Sequence, residues 1–320
     1  MSGEQHFSPA FNPPWWLRNP HYQTLWPSLF RRSIELKTRR ERLELDDGDF
    51  IDLDWGENTA GPLAIIFHGL EGSGKSNYVR GIMSSLSQHG WQTVVMHFRG
   101  CSGEPNRLAR SYHSGEIADM AYVVKLLRKR NPDSVIAAIG YSLGGNALLK
   151  WLGETGSANT LNAAVAVSVP FNLDNAAHTL RRSAFGIYQN HLLKQLKQTV
   201  VSKKDLLAPL IDIDEALRST NFHEFDHRVT AQLHGFNGVD DYYAQSSSNQ
   251  YIPTIRRPTL VLHAQDDPFL DSSAIPDASQ FPDAVEIELS QHGGHVGFID
   301  KQGYWLERRI PSFLNKIAGL

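Results

Sequence analysis

The sequence contains a single cysteine, Cys101, among its 320 residues. One thiol cannot form a disulfide within the chain, and a C-x-x-C zinc pair is excluded for the same reason. Chains without disulfides are typical of reducing compartments, so we expect a reduced, cytoplasmic protein.

A basic excess and long apolar runs are missing as well. The 31 Lys and Arg residues face 34 Asp and Glu residues, which leaves a net charge of −3 at pH 7. Because nucleic-acid binding depends on basic side chains that release counterions from phosphates, this balance predicts no nucleic-acid partner.

No apolar run approaches the length of a membrane span, and prolines and charges interrupt the N-terminal segment, which excludes a signal-peptide pattern.

Short apolar segments alternate with amphipathic ones from residue 62 onward. The runs PLAIIF, TVVM, VIAAIGY and AAVAV are continuously apolar, a pattern typical of strands buried on both faces of a parallel sheet. Upstream, RERLELDDGDFIDLDW alternates apolar and polar residues around DDGD, which predicts an antiparallel hairpin at the sheet edge. We therefore predict an α/β fold with a mostly parallel central sheet and helices on both faces.

The domain organisation predicted from this pattern is one unit, residues 1–320. Strand signals lapse between residues 171 and 250, where helical propensity predicts a helical cap insertion. Residues 1–38 form an N-terminal extension rich in aromatic residues and proline, with three tryptophans. We expect these tryptophans to pack against the body of the domain; contact with a membrane surface or the lining of a substrate channel are the alternatives.

A serine in a strand–turn–helix context is the first candidate for chemistry. GYSLG, residues 140–144, is a G-x-S-x-G sequence between the run VIAAI and a helical segment. A nucleophilic serine needs such a tight turn to raise its hydroxyl above the sheet edge, and small residues two before and two after it leave the room. The helix that follows directs its positive dipole end at the reaction centre. We therefore predict that Ser142 is a nucleophile.

A serine hydroxyl needs a general base, and the base needs a carboxylate that orients it. The chain order Ser…Asp…His is the one expected on this kind of sheet. TLVLHAQDDPF places Asp266 and Asp267 at the end of an apolar run. We favour Asp267, three residues after Ala264, and interpret Asp266 as a solvated turn or capping residue.

Two histidines follow the last strand signal, in SQHGGHVGF. We favour His295 as the base, because the glycine pair before it predicts a flexible turn that brings the imidazole over the serine. His292 would then hydrogen-bond locally or be exposed. The H-x-x-H spacing is compatible with a metal pair, but a zinc site needs further ligands, so we predict no metal.

Residues 68–76, HGLEGSGKS, match two patterns. From the second residue on, they fit the phosphate loop G-x-x-x-x-G-K-[ST], which would make Lys75 and Ser76 nucleotide ligands. They also fit an H-G-type oxyanion motif. In this interpretation the backbone N–H of Leu70 would hold a transient oxyanion together with the N–H of Leu143, the residue after the nucleophile. A phosphate loop requires an acidic magnesium ligand and a base-recognition sequence; the acids are already explained by the charge relay, and no recognition sequence is found. We favour the oxyanion interpretation, with Ser76 as a helix N-cap and nucleotide hydrolysis as the alternative.

Several segments resemble the YheT-like esterase family of α/β-hydrolases, relatives of the embryogenesis-associated and abhydrolase-domain lipid hydrolases. They span nearly the whole chain: NPHYQTLWP, HGLEGSGKSNYVR, HFRGCSGEPNR, YHSGEIADM, GYSLGGNALLKWLGE and HGFNGVDDYYAQSSS. The resemblance implies an α/β-hydrolase fold, a charge relay of Ser142, Asp267 and His295, and hydrolysis of a small-molecule or lipid carboxylic ester without metal or organic cofactor. A non-catalytic binding module on the same fold is the remaining alternative.

Overall fold

A computed structural model describes residues 11–32 and 34–320. Residues 1–10 and Ser33 of the predicted N-terminal extension lie outside the described residues. The central sheet has eight strands: β1 (Arg39–Glu44), β2 (Phe50–Trp55), β3 (Leu63–Phe67), β4 (Gln92–Met96), β5 (Ile136–Tyr141), β6 (Ala163–Val167), β7 (Thr259–Ala264) and β8 (Val285–Ser290).

The spatial order of the strands is β1-β2-β4-β3-β5-β6-β7-β8. All neighbours from β4 to β8 pair in parallel, and every residue of β3, β5, β6 and β7 is buried. The predicted hairpin is confirmed, since β1 pairs antiparallel with β2 at the sheet edge. The continuously apolar runs are therefore the strands that helices cover on both sides.

Helices lie on both faces of the sheet. α3 (Ala118–Arg130) and α4 (Leu143–Thr155) share one apolar core with the sheet. α2 (Asn77–Gln88) and α12 (Leu306–Ala318) share the apolar core on the opposite face. This arrangement confirms the predicted fold class, a mostly parallel sheet between two helical layers.

The chain between β6 and β7 is helical. Its helices are α5 (Leu173–Arg182), α6 (Ile187–Ser202), α7 (Lys204–Leu207), α8 (Ile213–Arg218), α9 (Phe222–Phe225), α10 (Ala231–His234) and α11 (Val239–Ser246), with a π-helical turn at Asp226–Thr230. These helices contain an apolar cluster of their own, which includes Leu193, Val200 and Phe225. This is the segment for which the sequence predicts an insertion.

Short elements complete the fold. A two-stranded ribbon, β9 (Ile299–Asp300) and β10 (Gly303–Tyr304), precedes α12. Turns of 3₁₀ helix occur at Trp15–Leu17, Gly156–Ala158, Ser183–Gly186, Ser248–Thr254, Ser272–Ala274 and Ala278–Gln280. In the parts of the chain that the structure describes, every helix is too short or too polar to cross a membrane.

The first long helix, α1 (Pro20–Phe30), turns its polar side toward the protein. Asn19 caps it by accepting from the backbone N–H groups of the first turn, as expected for an N-cap followed by proline. The expectation that the N-terminal tryptophans pack against the body is wrong for Trp15 and Trp16, which are 81% and 45% exposed. In the 3₁₀ turn Trp15–Leu17, Leu17 is the buried residue. In the following helix, Gln23 and Thr24 are held inward by hydrogen bonds, so its apolar side faces outward.

Candidate active site

Ser142 lies on the tight turn between β5 and α4. Its backbone has φ 50° and ψ −116°, a conformation that non-glycine residues adopt only where the surroundings enforce it. Here the Ser142 N–H donates to the carbonyl of Val167 at 2.8 Å, and its carbonyl accepts from the N–H of Asn146 at 2.9 Å. The turn is thus held on one side by the neighbouring strand and on the other by the first turn of α4.

The glycines of G-x-S-x-G are needed for close approach of backbone segments. A Cβ on Gly140 would lie 2.5 Å from the carbonyl oxygen of Gly144. A Cβ on Gly144 would lie 2.5 Å from the carbonyl oxygens of both Phe67 and His68. Neither position can accept a larger residue without moving backbone, which is the reason for the pattern recognised in the sequence.

The structure brings the three predicted charge-relay residues into one hydrogen-bonded chain. His295 Nε2 lies 3.0 Å from Ser142 Oγ, and His295 Nδ1 lies 2.8 Å from Asp267 Oδ2. The buried Asp267 also accepts from the N–H of Phe269 at 2.9 Å, and the Phe269 ring stacks on the imidazole with centroids 4.1 Å apart. Because the carboxylate accepts at Nδ1, the imidazole carries its proton there, and Nε2 is free to accept the serine proton.

Asp266 has a different set of partners from its neighbour. It accepts from the N–H of Gly294 at 3.0 Å and lies 3.1 Å from Nδ1 of His292. Its side chain is mostly buried, and burial raises the pKa of Asp266. Of the two interpretations of Asp266, a solvated turn residue or a capping residue, solvation is wrong: the carboxylate accepts from a backbone N–H and links the end of β7 to the loop that carries His295.

The glycine pair before His295 serves close packing. A Cβ on Gly294 would lie 2.5 Å from the carbonyl oxygen of Pro20, and one on Gly293 would lie 2.9 Å from the Cβ of Ala264. Both glycines also have positive φ angles, which side chains disfavour. The sequence predicts a flexible turn here, whereas the structure shows a loop packed tightly against α1 and β7.

The helix α1 holds this loop, a role that sequence reasoning missed. The His295 N–H donates to Thr24 Oγ1 at 2.9 Å. The buried Gln23 amide accepts from the Ile299 N–H at 2.8 Å and donates to the Ile299 carbonyl at 2.9 Å. Both residues belong to the segment NPHYQTLWP, whose resemblance to the family was the available signal.

Leu70, one predicted oxyanion donor, lies in the turn after β3, and Leu143, the other, is the first residue of α4, directly after Ser142. Within residues 11–32 and 34–320, the N–H groups of Leu70 and Leu143 form no hydrogen bond outside regular secondary structure, and both residues line the same cavity as Ser142. The preceding His68 is buried; its Nδ1 donates to the Gly69 carbonyl at 2.8 Å, and its Nε2 accepts from a backbone N–H at 3.2 Å. Burial lowers the pKa of His68 to about 3, so a neutral imidazole supports the turn.

The residues of the phosphate-loop match use their N–H groups within the turn. The N–H groups of Gly72 and Ser76 donate to carbonyls of the same turn. Those of Ser73 and Lys75 donate to serine hydroxyls of the turn at 3.1 and 3.2 Å. Ser76 occupies the N-cap position of α2, but its hydroxyl accepts from Ser73 instead of capping the helix. A phosphate-binding loop needs these N–H groups free, so the geometry favours the oxyanion interpretation.

A cavity of about 550 Å³ opens above Ser142 and His295. The helices between β6 and β7 supply most of its apolar lining: Leu173, Ala176, Ala177, Leu180, Leu192, Leu196, Phe222 and Phe225. α1 contributes Thr24, Pro27 and Ser28. The cavity can hold an acyl chain next to the serine hydroxyl.

Two partly buried carboxyl groups line this cavity. Glu71 accepts from the Tyr112 hydroxyl at 2.7 Å, and burial raises the pKa of Glu71. Asp226 accepts from the hydroxyls of Thr230 and Tyr243 at 2.6 and 2.8 Å, and burial raises its pKa to about 6. These groups add carboxyl oxygens to a wall that is mostly but not entirely apolar.

Among the described residues, one group has the composition of a metal site: His113, Glu116 and His234. The Glu116 carboxylate is already used, since it accepts from Arg110 at 2.8 Å and from the Ala118 N–H at 2.9 Å. A guanidinium beside the carboxylate supplies the positive charge that a cation would otherwise provide. We therefore assign this group to an ion pair beside two imidazoles, whose ring centroids lie 4.4 Å apart with a 53° angle between the ring planes.

Comparison with known proteins identifies the family. A family model described as alpha/beta hydrolase fold matches residues 62–302. The chain is 43% identical over 317 residues to YheT of Escherichia coli (strain K12), covering 96% of this chain and 93% of that protein. It is 31% identical over 325 residues to phospholipase ABHD3 of Mus musculus, covering 97% of this chain and 79% of that protein.

A solved structure shares the fold at low sequence identity. The esterase Pf2001 of Pyrococcus furiosus matches with a TM-score of 0.58 at 17% identity, over 95% of this chain and 99% of its own. The two chains therefore follow a similar backbone course over most of their length. The sheet order, the turn at Ser142 and the family match lead to one conclusion: the chain belongs to the α/β-hydrolase family.

Proposed function

We propose that this α/β-hydrolase is a serine esterase that cleaves carboxylic esters through an acyl-enzyme intermediate. The observation that carries the proposal is the chain of hydrogen bonds from Ser142 through His295 to Asp267, at 3.0 and 2.8 Å. The Ser142 end of this chain lies in a cavity with a largely apolar lining. A serine with a base and an orienting carboxylate is the arrangement that acyl transfer requires.

In the acylation half-reaction, Ser142 Oγ attacks the ester carbonyl carbon while His295 Nε2 takes the hydroxyl proton. The carbonyl oxygen becomes an oxyanion, which accepts hydrogen bonds from the N–H groups of Leu70 and Leu143. The bond to the alcohol oxygen then breaks, and the imidazolium gives its proton to the departing alcohol. Asp267 stabilises the imidazolium throughout and keeps the proton of the resting ring on Nδ1.

In the deacylation half-reaction, His295 takes a proton from water as the water oxygen attacks the acyl carbon. The second oxyanion uses the same two N–H donors, and the Ser142–acyl bond breaks as the proton returns to Oγ. The products are a carboxylic acid and the free enzyme. No metal or organic cofactor takes part in these steps.

We assign the helices of residues 171–250 to a cap that selects the acyl group. The support is that side chains from α5, α6 and α9 supply the apolar wall of the cavity. A relative that covers nearly the whole chain is named a phospholipase, which is consistent with a lipid substrate. We infer that the substrate is an ester with an apolar acyl chain.

The test is turnover of a short-chain p-nitrophenyl ester, together with labelling by a fluorophosphonate probe. We expect Ser142→Ala to lose at least about 10³-fold in kcat and all labelling. Ser28→Ala serves as the matched control, because Ser28 lines the same cavity without contacting His295. Equal rates for wild type and Ser142→Ala would refute the assignment, and a wild-type protein that neither turns over esters nor reacts with the probe would support a binding module instead.

A further inference from the structure

The helix α1 has the opposite orientation from an ordinary surface helix. Its polar residues Gln23 and Thr24 face the protein through hydrogen bonds. Its apolar residues Tyr22, Leu25, Leu29 and Phe30 are exposed, Leu29 and Phe30 at 67% and 62%. An amphipathic helix normally buries its apolar stripe, and a contiguous exposed apolar surface marks an interaction site.

The residues before α1 enlarge this surface. Trp15 and Trp16 are exposed, and the Trp16 and Trp26 rings lie 5.3 Å apart between centroids, with Trp26 and Phe30 at 4.4 Å. We call Trp15, Trp16, Tyr22, Leu25, Leu29 and Phe30 the aromatic face. Tryptophan and tyrosine are the residues enriched at the boundary between lipid and water.

A second exposed apolar element lies beside α1, at the junction of α5 and α6. Phe185 is fully exposed, and the neighbouring Ile187 is also exposed. The backbone at Phe185 has φ 54°, so this tip is formed by a turn that costs energy. His21 of α1 lies 3.0 Å from the Tyr188 hydroxyl, a contact that joins the tip to the aromatic face.

The same two elements form part of the cavity wall. Thr24, Pro27 and Ser28 of α1 line the cavity, and so do Leu180 and His191, which lie on either side of the tip in sequence. The aromatic face and the tip therefore belong to the same two elements as part of the wall of the cavity that contains Ser142. A partner surface that contacts both of them would therefore lie close to this part of the cavity wall.

The two segments that carry this surface are basic in sequence, although Glu307 pairs with Arg31 and Asp271 lies near Arg182. Residues 11–32 and 175–190 contain five arginines and no Asp or Glu, in a chain where acids outnumber Lys and Arg by 34 to 31. Four of these arginines, Arg18, Arg32, Arg181 and Arg182, are exposed. Apolar and aromatic side chains flanked by arginine match an anionic lipid surface, because basic residues near such a surface each contribute about 1 kcal/mol.

We propose that the aromatic face and the Phe185 tip dock onto a bilayer that contains anionic lipid. Docking places the cavity mouth at the lipid surface, so that an acyl ester can pass from the bilayer to Ser142 without crossing water. The inference deepens the proposed function, since it names the source of the substrate. The binding itself requires no catalysis, so it can be tested separately.

The experiment is co-flotation with vesicles of phosphatidylcholine alone and of equimolar phosphatidylcholine and phosphatidylglycerol. We expect the protein to float with the anionic vesicles, and less so as salt is added. Trp15→Ser combined with Trp16→Ser, and separately Phe185→Ser, should each lower the membrane partition coefficient by about tenfold, because each removes apolar surface that the lipid buries. Tyr122→Ser is the matched control, since Tyr122 is an exposed aromatic on α3.

Three outcomes would overturn the proposal. These are absence of binding to anionic vesicles, equal flotation of the surface variants and wild type, and a dimer in gel filtration that the same substitutions dissociate. The last outcome would mean that a second copy of the chain covers the aromatic face. Flotation is repeated with Ser142→Ala, and turnover of a soluble short-chain ester is measured for each surface variant, so that failure of docking and failure of catalysis are distinguished.

Discussion

Two adjacent carboxyl groups at the end of β7 provide the sharpest test of the charge relay. Asp267 is buried and accepts from His295 Nδ1 and from the Phe269 N–H. In Asp267→Asn, the amide oxygen can still accept from Phe269, which leaves the NH₂ group facing the imidazole. Nδ1 must then accept a hydrogen bond, so the ring proton moves to Nε2, where it blocks acceptance of the Ser142 proton.

The magnitude follows from the lost attraction between the carboxylate and the imidazolium. At an effective dielectric constant near 20, two unit charges about 4 Å apart attract by about 4 kcal/mol. This energy corresponds to about a 10³-fold change in rate, and the unfavourable tautomer adds to it. We therefore expect Asp267→Asn to lower kcat by about 10³ to 10⁴-fold with little change in KM.

Asp266→Asn is the matched control. The amide oxygen of the new side chain can still accept from the Gly294 N–H, which holds the loop. Asp266 contacts His292 and makes no hydrogen bond to His295. We expect kcat to fall by less than about tenfold.

The assay is steady-state hydrolysis of a p-nitrophenyl ester by wild type and both variants, with thermal unfolding to show that each variant is folded. Comparable losses in the two variants would refute the assignment of Asp267. A larger loss in Asp266→Asn would show that the adjacent carboxyl group orients the base.

Two further predictions concern the loop of His295 and a buried carboxyl group. Thr24→Val removes the acceptor of the His295 N–H, so we expect kcat to fall about tenfold at nearly constant KM. Thr24→Ser keeps the hydroxyl and should keep most of the rate. An equal loss in both variants would contradict this role of Thr24. Burial raises the pKa of Asp226 from its ordinary value of 3.8 to about 6, so the folded protein binds this proton more tightly than the unfolded chain, and the free energy of unfolding falls as pH rises between those values. Asp226→Asn removes this loss in the free energy of unfolding, which is on the order of 3 kcal/mol. Urea unfolding should therefore show the variant gaining stability relative to wild type between about pH 4 and pH 7. A stability difference that does not depend on pH would contradict the prediction.

The local requirements of this fold are visible in the sequence. A continuously apolar strand has to be buried on both faces, and every residue of β3, β5 and β6 is buried. The turn at Ser142 leaves no room for a Cβ at Gly140 or Gly144, so its pattern can be recognised from five residues. The edge hairpin was predictable for the same reason, because its alternation and its turn lie within one short segment.

The role of α1 could not be predicted in this way. The sequence places tryptophans and other apolar residues in this segment, and the ordinary expectation is that apolar residues face inward. Gln23 instead contacts Ile299, 276 residues along the chain, and no local pattern shows which polar residue has such a partner. The same holds for Asp266, whose partners lie in the loop after β8.

The sequence by itself determined the α/β class, the strand runs and the turn of Ser142, because each depends on neighbours within a few residues. Only the tertiary structure decided that α1 turns its polar side inward to hold the loop of His295. It also decided that Asp267 and not Asp266 meets the imidazole, although the sequence already favoured that choice. The physical reason is that a hydrogen bond between distant segments forms only after the sheet has brought them together, and its partners have no periodicity or spacing of their own.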